Sequence, residues 1–175
     1  MIDAPVLVAL ANAGRPRRPP RARRAVAEDP FEYAESATRL LEPFLGRPVD
    51  ASELDGVRRL ARQAAKIAVG LIEGSAPTIG ALNRLAEECA GRAQLRSTAA
   101  GELEAVVVWD SAPGAAVLAR RMIEELGRIE PSRLRHCARP ECGLIFYDSS
   151  RSGTQRWHSE VPCGWRERQR RRRAQ

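Results

Sequence analysis

Lysine is nearly absent from this chain: of its 29 basic side chains, only Lys66 is not arginine. Aromatic residues are scarce as well, at 5% of the sequence. A core must then come mostly from Ala, Leu, Val and Ile, which favours closely packed helices over a β-sandwich. No apolar run reaches the roughly 18 residues that a membrane-spanning helix needs. Four cysteines at uneven spacing do not read as a disulfide framework in 175 residues, and a reducing cytoplasm is expected. The stretch "PVLVALANA" near the start resembles a short signal-peptide core. Asp3 precedes it, no basic residue does, and the arginines come after it, so no signal peptide is expected. Nucleophile–base pairs, carboxylate dyads and phosphate-cradling glycine loops are not evident, and we expect no enzyme.

What is present is unevenly placed charge. Residues 131–175 hold eleven arginines against Glu141, Asp148, Glu160 and Glu167, which accounts for the whole net charge of +7. Six more arginines fall between Arg15 and Arg24 with no acid among them, and residues 25–130 are net acidic. A basic arm, an acidic body and a basic tail suggest a polyanion partner for the ends. Nucleotide bias explains arginine over lysine but not this clustering. The arm, "GRPRRPPRARR" at 14–24, reads as a loop, because proline removes donors and like charges repel. It is either a solvated linker or a nucleic-acid-binding arm.

Apolar spacing predicts a helical body. A short apolar segment runs to Asn12. Asp29 and Pro30 read as the N-cap and first position of a helix that Gly46 and Pro48 end. Asp50 with Glu53 forms a capping-box pattern. Leu54, Val57, Leu60, Ala61, Ala64, Ile67, Ala68 and Leu71 then follow one face towards Gly74, the strongest helical signal. A third helix is expected from about Pro77 to Ala90, with Cys89 as a buried small residue. Residues 94–109 read as a hairpin. Ser111 caps a last body helix with Pro113 in its first turn and an apolar face of Ala115, Leu118, Ala119, Met122, Ile123 and Leu126.

Beyond Pro131 the composition changes. Cys137, Cys142, His158 and Cys163 make two close pairs: Cys-x4-Cys, fifteen residues, then His-x4-Cys. Two knuckles joined by a loop are what a tetrahedral structural zinc needs, and thiolates with imidazole suit Zn2+. Four protein ligands leave no open position, so one structural zinc is expected, which would supply much of the stability of so small a segment. His136, beside Cys137, is a surface residue or a replacement ligand. Leu144, Phe146 and Trp157 are expected to form a mini-core, with Asp148, Ser149, Ser150 and Gly153 in a polar turn. The following "GWRERQRRRR" is composed of good helix formers. Beyond Trp165 it offers no apolar side, and it reads as a cationic helix or a frayed tail.

At these residues the chain resembles the bacterial CGNR zinc-finger proteins, whose finger follows a helical ABATE domain. Cys137 and Cys142 match the first pair of that finger. Phe146, Asp148, Ser150 and Arg151 match its middle, Arg156, Trp157 and Ser159 its next block, and Cys163, Gly164 and Arg166 its last. Two positions depart: the third cysteine is His158 here, and the name-giving asparagine is Trp165. The upstream likeness is looser and rests on Asn12, the helix over Arg58–Leu71, Leu82-Asn83 and the hairpin. The resemblance implies a stress-linked transcription regulator, with DNA binding by the finger and a sensing or oligomerising helical body.

The fold expected is mainly α: an ABATE-like helical domain over residues 1–130 with a small β-hairpin, then a compact zinc finger with a basic C-terminal helix over 131–175. The function expected is DNA-binding transcription regulation in the cytoplasm, on the nucleoid. Arg151, Arg156, Arg166, Arg168, Arg170, Arg171, Arg172 and Arg173 would contact phosphates or base edges. The alternatives are a zinc-stapled protein-interaction module and RNA binding through tryptophans and arginines. A homodimer or a small-molecule effector would act through the helical body.

Overall fold

A computed structural model describes residues 4–14, 29–109 and 112–173. Residues 15–24 of the Pro/Arg arm and the Ser111 cap lie outside them. Within the described residues the chain is mainly helical, with two small antiparallel sheets of two strands each. No helix there is long and apolar enough to cross a membrane.

Helix α1, Pro5–Ala13, buries Val6, Leu7, Leu10 and Ala11. Its proline occupies the first turn, where a missing N–H costs nothing. The next two N–H groups donate to Glu125, Val6 to Oε1 at 3.0 Å and Leu7 to Oε2 at 2.9 Å. A carboxylate from a distant helix therefore does the work of an N-cap. Gly14 ends α1 against α3 so closely that a Cβ there would lie 2.1 Å from the Ala61 carbonyl oxygen.

Helix α2 spans Ala34–Leu45, so the expected start at Asp29-Pro30 is wrong by several residues. Asp29 instead accepts the Phe31 N–H at 2.9 Å, forming a local turn, and pairs with Arg58 at 3.0 Å. That Asx turn competes with the helix for the same carboxylate. Gly46, at φ 70°, stops the helix as expected. The Asp50/Glu53 capping box forms and opens a 3₁₀ turn, Ala51–Glu53, that runs into α3, Leu54–Ile72. Glu53 also accepts from Arg47 at 2.8 and 2.9 Å and from the N–H of Gly114. Arg47 is the main cause that brings its carboxyl down to about 2, against the opposing effect of burial. Val57, Leu60, Ala61, Ala64, Ile67 and Ala68 are buried, the face the spacing predicts.

Helix α4, Gly80–Glu87, is shorter than expected at both ends, and Cys89 beyond it is buried with Ala116 and Val117. Strands β1, Gly91–Ser97, and β2, Leu103–Trp109, form the predicted hairpin, starting three residues earlier than expected. Helix α5 runs from Gly114 to Leu126, with Pro113 at its N-cap position and not inside its first turn. It buries Ala115, Leu118, Ala119 and Met122, and Ile123 and Leu126 are partly buried. Strands β3, Leu134–His136, and β4, Ile145–Tyr147, make the second sheet. A last helix, α6, covers Trp165–Arg173.

The main core draws on α1, α2, α3 and α5, and it continues past residue 131: Leu134, Ile145 and Tyr147 belong to it. The expected mini-core of Leu144, Phe146 and Trp157 does not form as such. Alternation along β4 sends Ile145 and Tyr147 to the helices and Phe146 to the other face. Phe146 is buried, while Leu144 and Trp157 are only half-buried.

Candidate metal centre and basic helix

The second sheet is built around a carboxylate and an amide. Asp148, directly after β4, is fully buried. It accepts the Ser150 hydroxyl at 2.5 Å, the Ser150 N–H at 3.0 Å and the Gln155 N–H at 2.8 Å, and Arg135 approaches at 3.9 Å. Burial pushes its carboxyl up, but the Ser150 hydroxyl, the two N–H groups and Arg135 together outweigh this and hold it below the ordinary carboxylate value. The expected polar turn is therefore wrapped around a buried carboxylate. It folds 149–155 back on the sheet, and Ala138 then donates to the Arg156 carbonyl at 2.8 Å. This brings the segment bearing His158 beside the first knuckle.

On the other edge, Asn12 of α1 pairs with Ile145 as a strand would. Its Nδ2 donates to the Ile145 carbonyl at 2.9 Å, and its Oδ1 accepts the Ile145 N–H at 2.8 Å. Neither this contact nor the burial of Asp148 was read from the sequence. Asp-x-Ser was the available signal for the second, as an Asx-turn pattern. For the first there was none beyond the position of Asn12.

Cys137 follows β3 and donates its N–H to the Leu144 carbonyl at 2.8 Å; Cys142 donates to the Arg139 carbonyl at 3.0 Å. Gly143, at φ 67°, turns the chain directly after the second thiol. Cys163 lies in the turn Glu160–Gly164, just ahead of α6. The three sulfurs and one histidine nitrogen all lie within 4.8 Å of one another. His158 presents Nδ1, 3.4 Å from the Cys142 sulfur. His136 is exposed on β3 and stands outside the group.

The donor set fits zinc. Ligands at zinc–sulfur distances of about 2.3 Å in a tetrahedron would sit slightly under 4 Å apart. Burial, with Cys137 and Cys163 alongside, pushes the Cys142 thiol up to about 12. A cation among the sulfurs would favour the thiolate form, and Zn2+ would supply that charge. Cys137, Cys142, His158 and Cys163 could hold one zinc ion. With all four positions taken by protein, its chemistry there is structural. Three thiolates and Zn2+ leave one negative charge, and Arg139, beside Cys163, faces it.

Helix α6 is less uniform than its sequence. Glu167 is buried and takes Arg170 at 2.7 Å and Arg171 at 3.4 Å. The Arg170 guanidinium, ahead of Arg171, holds its carboxyl below the usual range. Arg168 pairs with Glu160 and lies over the Trp157 ring, 5.8 Å from its centroid, while Arg156 lies over the same ring at 5.5 Å. Arg151, Arg166, Arg172 and Arg173 are exposed and have no acidic partner among the described residues. The site is thus one metal quartet with an arginine-rich helix fixed at its last ligand.

Residues 133–175 match the family model of the CGNR zinc finger. No curated protein matches the chain.

Proposed function

We propose that this chain is a DNA-binding transcription regulator whose zinc fixes a basic helix against phosphates. The observation that supports it best is the junction of Cys163 with α6, where a metal ligand stands two residues before a helix of six arginines. A short helix carrying so much charge is marginal alone. Anchored through the ligand, and with Glu167 already pairing Arg170 and Arg171, it needs only its remaining arginines neutralised. Arg151, Arg166, Arg172 and Arg173 are the primary phosphate contacts, and Arg156, Arg168, Arg170 and Arg171 are available once their present partners yield. The body resembles the ABATE domain and would serve sensing or self-association, in the manner of bacterial stress-induced regulators. On this reading the protein works on the nucleoid in the cytoplasm and catalyses nothing.

Four neutralised phosphates give a slope of log affinity against log salt of about −4. Fluorescence anisotropy with a labelled duplex across salt measures it. Truncation after Gly164 removes three of the four primary cations and every other arginine of α6, and should flatten the slope by about 3 while retaining all four zinc ligands. Equal slopes for the full-length and truncated chains would rule out α6. Tighter binding to single-stranded RNA than to duplex would favour the RNA reading. Equal binding to DNA, RNA and heparin would favour a protein-interaction module.

A further inference from the structure

Trp165 is the first residue of α6 and is 53% exposed. Its position is not that of a frayed end. Cys163 lies two residues before it, Gly164 donates its N–H to the Ser159 carbonyl at 3.3 Å, and Arg168, one turn on, pairs with Glu160 of the preceding turn. The indole is thus held at the solvent side of a fixed first turn. Beside it Arg166, Gln169, Arg170 and Arg173 of the same helix line a shallow hollow open to solvent. These residues recur at helical spacing, so one face carries an aromatic plane, an amide and three guanidinium groups.

Uniform duplex DNA has little use for such a face. Its base planes are stacked out of reach, and only edges, thymine methyls and phosphates are presented in the grooves. An unpaired base offers its plane to an aromatic side chain while its flanking phosphates meet cations. We propose that Trp165 stacks on an unpaired base, and that α6 selects DNA carrying locally melted or mismatched positions over regular duplex. This rests on the DNA-binding reading above. The indole supplies the plane, Arg166 and Arg173 neutralise the phosphates on either side, and the Gln169 amide lies one turn along, where it can hydrogen-bond the edge of the stacked base.

The test compares three probes at one salt concentration: a labelled duplex, the same duplex with a short central mismatch bubble, and the bubble made of RNA. Stacking of one base contributes about 1–3 kcal/mol by alanine substitution, or roughly 5- to 150-fold in affinity. The wild-type chain should prefer the DNA bubble to the duplex by a factor in that range, and its tryptophan fluorescence should be quenched on binding the bubble. Trp165→Ala and Trp165→Asn should abolish both the preference and the extra quenching, with duplex affinity unchanged within about twofold. Zinc content and helical signal of each variant should equal wild type, since the side chain is outside the core. Duplex binding without bubble preference, or a preference that survives Trp165→Ala, overturns the inference and leaves the DNA reading standing. Failure to bind any DNA overturns that reading itself, and tighter binding of the RNA bubble overturns the choice of DNA.

Discussion

Strands β1 and β2 pair over seven positions, yet every residue of β1 is exposed; strands β3 and β4 pair over three, and all of β4 is buried. Pairing length alone does not decide which hairpin is the firmer. A two-stranded sheet without a covering layer is marginal whatever its length. The long hairpin places Ala93, Leu95, Ala105 and Val107 on one face, with Leu95 70% and Val107 46% exposed. The short one gives Ile145 and Tyr147 to the main core, takes Asn12 on its open edge and has Asp148 gathering the chain beyond it. Its first strand leads directly into a candidate metal ligand, Cys137. Contacts from outside the sheet stabilise it.

Removing the metal should break this contrast most. Structural zinc contributes about 10–16 kcal/mol in finger peptides at neutral pH, as much as the whole stability of an ordinary domain. Chelation, or Cys142→Ser, should release the β3 and β4 amides to fast hydrogen exchange. The α1 and α3 surfaces that Ile145 and Leu134 cover should loosen with them, whereas β1 and β2 should exchange as before. Exchange mass spectrometry with and without chelator reads all four strands at once. Full protection of β3 and β4 in metal-free protein would mean that core contacts alone hold the hairpin.

Single side chains come next. Ile145→Ala should cost about 3 kcal/mol, as buried isoleucine truncations do, against less than about 0.5 kcal/mol for the exposed Val107→Ala. Asn12→Ala leaves the Ile145 N–H and carbonyl without their partner and should cost about 2 kcal/mol in urea unfolding. Asn12→Asp, which keeps an acceptor and loses the donor, should not restore it.

Acid acts on the same hairpin through Asp148. Its folded pKa is depressed, so its contribution is present above the ordinary carboxylate range and is lost as pH falls through the folded value. Wild type should therefore lose stability relative to Asp148→Asn as pH drops, with the gap closing at the acid end. Ligand protonation is common to both proteins and cancels in the difference. A gap independent of pH would mean that the carboxylate charge does not hold the turn.

The legible parts of this molecule are those written in short-range spacing. The faces of α3 and α5, the Asp50/Glu53 box and the metal quartet all follow from residues a few positions apart, or from residue types with few alternative uses. Asp29 misleads because one carboxylate serves equally as a helix cap and as an Asx turn, and Arg58, 29 residues on, takes part in the turn. Glu125 capping α1 and Asn12 closing the edge of β4 leave no periodic trace, since each contact spans well over a hundred residues. Glu167 reads as one acid in a basic run and is buried because two arginines one turn later fold onto it.

The smallest expected effect sharpens the contrast from the exposed side. Leu95 and Leu103 lie on one face of the long hairpin, at 70% and 74% exposure. Leu95 faces Ala105 across the strands, and Leu103 faces Ser97. Replacing both with threonine removes little buried apolar area and puts a β-branched residue at each position, so strand propensity is preserved. The double variant Leu95→Thr/Leu103→Thr should differ from wild type by less than about 0.5 kcal/mol in urea unfolding and should retain its zinc. The same pair of changes at Leu134 and Ile145 should be destabilising by several-fold more, because both side chains are fully enclosed by the helices. A loss above about 1 kcal/mol from the exposed pair would show that the hairpin face is covered in solution, and the two sheets would then differ only in what covers them.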